Sequence, residues 1–180
     1  MSKNVGKKFE SIIKDCMPEY AMLTRIPDPP QSFVKREDTR FSKKNPYDYV
    51  CFDSIHRIFY CLELKSTSQK YMTYHINEDD ESSAMIKWHQ IEGLTNAVKF
   101  DNVIAGFFLN FRLDSGEQLL YFWHINDFNK FRNNTNKKSF NIMDVVLYSG
   151  IKINGEKKRV HYKWYLGDFL ESQSKSFPLI

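Results

Sequence analysis

The chain has 180 residues, 42% hydrophobic and 16% aromatic, which is enough apolar content for one sizeable core and too short a length to call for several domains. Its formal net charge of +4 permits a nucleic-acid partner without requiring one. Cys16, Cys51 and Cys61 form no Cys-x-x-Cys pair, no apolar run approaches the roughly 18 residues of a membrane span, and the Lys-rich N-terminus lacks a signal peptide's apolar core; disulfide frameworks, structural zinc and membrane insertion are disfavoured, and a soluble cytoplasmic protein is expected.

Between residues 5 and 17, Val5, Phe9, Ile12, Ile13 and Cys16 recur at helical spacing, with Asn4 as cap and Pro18 as stop, and predict an amphipathic helix. Residues 25–46 carry Pro27, Pro29 and Pro30 and the cations Lys35, Arg36, Arg40, Lys43 and Lys44 without sustained periodicity, and predict a basic loop or short stalk. Residues 47–53 and 58–67, joined by the polar link Ser54-Ile55-His56-Arg57, predict an antiparallel hairpin. After an acidic patch from Glu78 to Glu81, residues 84–100 read as a second helix and 103–111 as a buried central strand. A turn at Asp114-Ser115-Gly116 leads into a strand at 119–125, then a short helix at 126–131 capped by Asn126 or Asp127. In the basic tail, 132–180, Asn154-Gly155 predicts a hairpin turn between strands 151–153 and 160–165, before a short helix at 167–173. The whole describes one α+β domain, 1–180, with a mixed central β-sheet flanked by helices.

The chemistry concentrates on the first hairpin. If it turns near His56, Cys51 lies across from Cys61 and Tyr49 across from Glu63, which brings Asp48 near Glu63 and Lys65. Alternation sets Cys61, Glu63 and Lys65 on one side of their strand and Leu62 and Leu64 toward the core. Asp53 competes with Asp48, but it would pair near Phe59, roughly 13 Å from Glu63 at about 3.3 Å per residue, too far to share one metal. Two carboxylates beside a lysine suit metal-assisted hydrolysis of a phosphodiester. Asp48, Glu63 and the Leu64 carbonyl would hold Mg²⁺, with Mn²⁺ as a substitute, while Lys65 would orient the attacking water or stabilise developing charge. An ordinary hairpin with surface charges is the competing reading.

The series Gly6-Lys7-Lys8-Phe9-Glu10, Asp48-Tyr49, Glu63-Leu64-Lys65, His89-Gln90-Ile91-Glu92 and Gly106-Phe107-Phe108 resembles, in order, the PD-(D/E)xK nucleases of the RecU Holliday-junction resolvase type. The resemblance covers about two thirds of the chain, from Gly6 to about Phe131. It implies a restriction-endonuclease-like core and Mg²⁺-dependent cutting of branched DNA by a homodimer, in recombination, repair or phage replication. It also implies catalytic roles for Glu10, Asp48, Glu63, Lys65 and Gln90, with His89 orienting or packing. The chain departs from the family in a shorter segment before Asp48, a slightly longer interval from Asp48 to Glu63, and an unmatched tail. A restriction-type or single-strand nuclease, and a non-catalytic DNA-binding or protein-interaction module that keeps the fold, are the rival readings.

Phosphate contacts are expected from Lys35, Arg36, Arg40, Lys43 and Lys44, with Arg112, Lys130 and Arg132 extending the track. Lys137 and Lys138, and Lys157, Lys158 and Arg159, are further basic groups that also read as solvated loops. Tyr121, Trp123 and Trp164 offer rings for base stacking, although aromatics at alternating strand positions usually belong to a core.

Overall fold

The computed structural model describes residues 3–27 and 44–175, so Lys35, Arg36, Arg40 and Lys43 lie outside the described residues. The chain opens with α1 (Lys3–Asp15), β1 (Ala21–Arg25), β2 (Tyr49–Asp53), β3 (Ile58–Thr67) and the short β4 (Met72–Thr73). Then follow α2 (Trp88–Ala97), β5 (Val103–Arg112), β6 (Gln118–His124) and α3 (Ile125–Asn134). The last part contains β7 (Ser139–Phe140), α4 (Ile142–Leu147), β8 (Ile151–Ile153), β9 (Gly155–Lys157), β10 (Tyr162–Trp164) and α5 (Leu166–Ser174). The main sheet runs β1-β2-β3-β5-β6-β8, with β3 and β5 parallel and every other pair antiparallel. This is the expected α+β architecture with a mixed central sheet flanked by helices.

Helix α2 belongs to the crossover that lets β3 and β5 run parallel, as a parallel pair requires. The sheet is covered on both faces. Leu62 and Leu64 enter one core with Phe9 and Ile13 of α1 and Phe169 and Leu170 of α5. Cys61 enters a second core with Ile91 and Leu94 of α2, Phe128 and Phe131 of α3, and Val145 of α4. The charged face expected for β3 is therefore roofed by helices, and Glu63 on that face is fully buried. Cys51 and Cys61 fall in different cores, on opposite faces of the sheet, and both are free thiols.

Several boundaries differ from the sequence expectation. Asn4 lies inside α1 rather than capping it, and α2 is the shorter Trp88–Ala97. The N-cap of α3 is His124, whose Nδ1 accepts from the Asn126 amide, in place of Asn126 or Asp127. Strand β1 lies just ahead of the segment expected as a loop and overlaps it only at Arg25. Asn154-Gly155 is not a hairpin turn: β8 pairs with β6, β9 pairs with β10, and the turn between these two is closed by the Lys158 amide bonding the His161 carbonyl. Gly155 is needed for another reason, since a Cβ there would stand 2.5 Å from the Trp164 ring. Tyr121, Trp123 and Trp164 are all buried, so they build cores and offer no stacking platform.

Candidate metal and phosphodiester site

The hairpin register decides which acid meets Glu63. Asp53 pairs with Ile58, Cys51 with Tyr60 and Tyr49 with Leu62, one residue from the expected pairing. The next step of that ladder sets Asp48 itself level with Glu63. Because Tyr49 and Leu62 share the α1 and α5 core, Asp48 and Glu63 share the opposite face. Asp53 is taken up elsewhere: it is fully buried at the hairpin turn and accepts from the Ile55 and His56 amides and the His56 ring.

Asp48 is held from both sides. Its carbonyl accepts from the Ile26 amide at 2.8 Å, and Asn45 donates to the Pro27 carbonyl at 2.8 Å. Behind it, Pro46 rests on Gly93 of α2 so closely that a Cβ at Gly93 would meet the Pro46 Cβ at 2.4 Å. A larger residue at 93 would push the 44–48 segment off the helix and carry Asp48 with it.

Glu63 is clamped at one oxygen. Its Oε1 accepts from Gln90 Nε2 at 2.5 Å and faces Lys65 Nζ at 2.6 Å. Gln90 is fixed in turn, because its Oε1 accepts from the Lys87 amide at 2.9 Å at the start of α2, an orphan donor that a helix must otherwise leave to water. The other oxygen, Oε2, is buried with no hydrogen-bond donor, and the neighbouring Asp48 carboxylate has none to give. Burial above all pushes the Glu63 carboxyl up to about 8; Lys65 opposes this and Asp48 reinforces it. A second cation-rich flank stands beside the pair. His89 is held below the usual imidazole range by burial first and then by the charges of Lys44, Lys65, His75 and Lys87. Lys44, the one described member of the predicted phosphate-binding set, therefore makes its charge felt at the first turn of α2.

Two carboxylates, an unsatisfied buried lone pair and an adjacent amine fit a hard divalent cation. The donors that meet here are carboxylate oxygens, the ligand type that suits Mg²⁺ or Mn²⁺ rather than a soft metal. Mg²⁺ is commonly held by one or two carboxylates, with water and substrate oxygens completing the shell. Strand β2 pairs with β3 only as far as Leu62, so the β3 backbone at Leu64 lies past the end of that ladder.

The expected residues Asp48, Glu63, Lys65 and Gln90 come together. Glu10 takes a different position: its Oε2 accepts from the Tyr49 hydroxyl at 2.7 Å and lies 3.6 Å from Arg25 Nε, on the α1 face of the sheet. Lys87 and His75 were not singled out by the sequence reading. Lys87 Nζ lies 3.3 Å from His75 Nε2 and donates to the Ser82 carbonyl at 3.0 Å. The available signal for Lys87 was its place directly before Trp88-His89-Gln90. Other cations of the expected track and of the further basic groups are engaged: Lys130 pairs with Asp127 and Lys137 with Asp144. Lys158 pairs with Glu156, and Arg132 lies over the Trp88 ring while donating to the Ile76 carbonyl.

No family model matches the chain. It is 32% identical over 196 residues to the SPbeta prophage-derived uncharacterized protein YotM of Bacillus subtilis, across 99% of this chain and 93% of that protein. Among solved structures it is similar to Hjc of Archaeoglobus fulgidus, a Holliday junction resolvase from an archaeal hyperthermophile. That likeness has a TM-score of 0.46 at 15% identity and covers 82% of this chain and 95% of the other. No helix among the described residues is long and apolar enough to cross a membrane.

Proposed function

This chain belongs to the family of the SPbeta prophage-derived protein YotM, and we propose that it is a Mg²⁺-dependent DNA endonuclease, in its most specific form a resolvase of four-way junctions. The observation that carries this reading is Glu63, fully buried, with one oxygen clamped by Gln90 and Lys65 and the other without a donor beside Asp48. Leaving a buried polar atom unsatisfied costs about 1–3 kcal/mol, and more for a charged one, so a site that keeps Glu63 in this state beside a second acid, Asp48, suits a cation. Asp48, Glu63 and the Leu64 carbonyl would hold it. Mg²⁺, or Mn²⁺ in its place, supplies charge neutralisation at the phosphoryl oxygens and a more acidic bound water.

The remaining work falls to the chain's own groups. Lys65 keeps its ammonium against Glu63 with its side chain 18% exposed, close enough to the surface to reach a phosphate oxygen or the attacking water. Gln90 fixes the Glu63 rotamer and, through the Lys87 amide, ties it to the start of α2. Glu10 acts at one remove, holding Tyr49, the residue beside Asp48. Lys44 and Lys87 contribute positive charge where the DNA backbone would approach.

Two active sites on a twofold axis suit a symmetric junction, and an apolar ladder supports pairing with a second copy. Met22 pairs with Phe52, Phe52 with Phe59 and Phe59 with Val103, and Phe100 stands 71% exposed just before Val103. At roughly 150–250 Å² per aromatic side chain, Met22, Phe52, Phe59 and Phe100 expose about 400 Å² of apolar surface, comparable with the apolar part of one side of a standard interface. Phe100→Asp is expected to shift a dimer to monomer in size-exclusion chromatography with light scattering; an unchanged mass refutes this face.

The test of function is incubation with a four-way junction, linear duplex or single strand, in Mg²⁺ or EDTA. Metal-dependent symmetric nicks in the junction alone, lost in Asp48→Asn and Lys65→Ala, are expected. Cutting of the duplex or single strand instead would assign another nuclease of this type. Binding with no cutting, unchanged by both substitutions, would refute the enzyme and leave a DNA-binding module.

A further inference from the structure

Three residues beyond Lys65, about 10 Å along the chain, lies a cavity of about 370 Å³ that the proposed chemistry does not use. Its volume falls in the roughly 300–1,000 Å³ range of small-molecule sites. The apolar walls come from Phe111 of β5, Leu113, and Ile142 and Met143 of α4. Phe111 is the β5 partner of Thr67, and Leu109 that of Lys65, so Phe111 stands on the sheet face that carries Lys65 and Glu63. Met143 is 74% exposed, an apolar lip with no cover among the described residues.

The rim carries two cations, Lys70 and Arg112, and one acid, Asp114. Arg112 is braced from the interior: its Nε donates to Ser66 Oγ at 3.2 Å, Ser66 donates to Asn110 Oδ1 at 2.9 Å, and Asn110 is buried and bonds across to Gln118 and the Leu119 carbonyl. Lys70 lies exposed on the other side, its ammonium 5.5 Å from the centre of the Tyr71 ring. Asn141 spends its carbonyl oxygen on capping α4, which leaves its amide nitrogen for a ligand edge. An uncharged apolar ligand would leave both cations unused, whereas a nucleotide matches the apolar walls with its base and the cations with its phosphates.

We infer that this cavity receives one unstacked base of the bound DNA, with the flanking phosphates on Lys70 and Arg112. The inference rests on the nuclease reading for its direction, because the strand leaving Lys65 would cross the ends of β3 and β5 toward it. A base can enter only where it has left the helical stack, which a branch point or a single strand supplies. The cavity thus gives the site a preference for branched over continuous duplex.

The test scans an abasic site, one position at a time, across the branch of a four-way junction. Binding is measured in EDTA and cutting in Mg²⁺, with wild type and Met143→Asp, a surface substitution. One abasic position is expected to weaken binding about tenfold while its neighbours do not. Met143→Asp should weaken binding of the intact junction by a similar factor and that of the sensitive abasic junction not at all. A flat scan, or a Met143→Asp loss equal on both DNAs, overturns the base pocket, and metal-dependent cutting in the same samples would leave the nuclease reading standing. Position-specific binding without any cutting upholds the pocket and refutes the nuclease. No binding to any junction overturns both.

Discussion

Glu63→Gln separates the electrostatics of the site from its packing. The substitution keeps the shape of the protonated acid: its carbonyl can still accept from Gln90 and Lys65, and its amide can donate to Asp48 at every pH, where ionised Glu63 has nothing to give. In the metal-free protein the Glu63 carboxyl is raised from 4.5 to about 8, by burial first. The folded state therefore holds this proton more tightly than the unfolded chain. The stability it contributes is whole below about pH 4.5 and is lost as pH rises toward 8. At about 1.4 kcal/mol per tenfold, full ionisation of Glu63 costs at most on the order of 5 kcal/mol. Urea unfolding in EDTA between pH 5 and 9 should find wild type losing several kcal/mol as pH rises, Glu63→Gln nearly flat, and the variant the more stable protein at pH 9. Mg²⁺ at a hundred times its dissociation constant should then restore about 2.7 kcal/mol to wild type and little to the variant. Parallel pH curves for the two proteins would refute the account of a buried, donor-starved carboxylate.

Gln90→Ala removes the Nε2 donor from Glu63 and the cap from the Lys87 amide, and should lower metal-dependent cutting about 10- to 100-fold with a stability loss of about 1–3 kcal/mol by urea unfolding. Asp53→Ala should do the reverse: loss of three hydrogen bonds at the hairpin turn costs on the order of 2–4 kcal/mol, while the protein that remains folded cuts at the wild-type rate, and a selective loss of cutting would favour Asp53 over Asp48. Neutralising Lys35, Arg36, Arg40, Lys43 and Lys44 together should flatten the plot of log binding constant against log salt by about 4.5 if all five contact duplex phosphates, and an unchanged slope would remove that segment from the interface.

Much of this fold is legible in the chain itself. Strand β3 ends where its alternating, β-branched and aromatic run ends, at Ile58 and Thr67, and β5 follows from an unbroken apolar stretch. The hairpin register was readable only to within a residue, because the bond pattern at the turn depends on Asp53 gathering the Ile55 and His56 amides, a side-chain choice that periodicity does not report. Burial of Glu63 was hidden for a different reason. An acid alternating with leucines looks like an exposed position, and only the non-local packing of α2, α3 and α4 closes that face. Strand β1 is five residues with a polar C-terminal half, too short to stand out from the proline-rich stretch after it. A role for Gln90 at the site followed from family likeness rather than spacing, and its bond to Glu63 was not foreseen, since nothing in a separation of 27 residues says where a crossover helix will land.

The antiparallel pairing of β2 with β3 makes the distance between two acids a matter of parity. Asp48 and Glu63 face each other only because the connection at 54–57 has the length it has. Adding or deleting one residue there would slide β2 by one place and turn Asp48 to the underside of the sheet, whereas a change of two would preserve its side at a shifted level. A bend some 16 Å from the chemistry is thus constrained in its count of residues, and evolution is free to vary its lettering far more readily than its length.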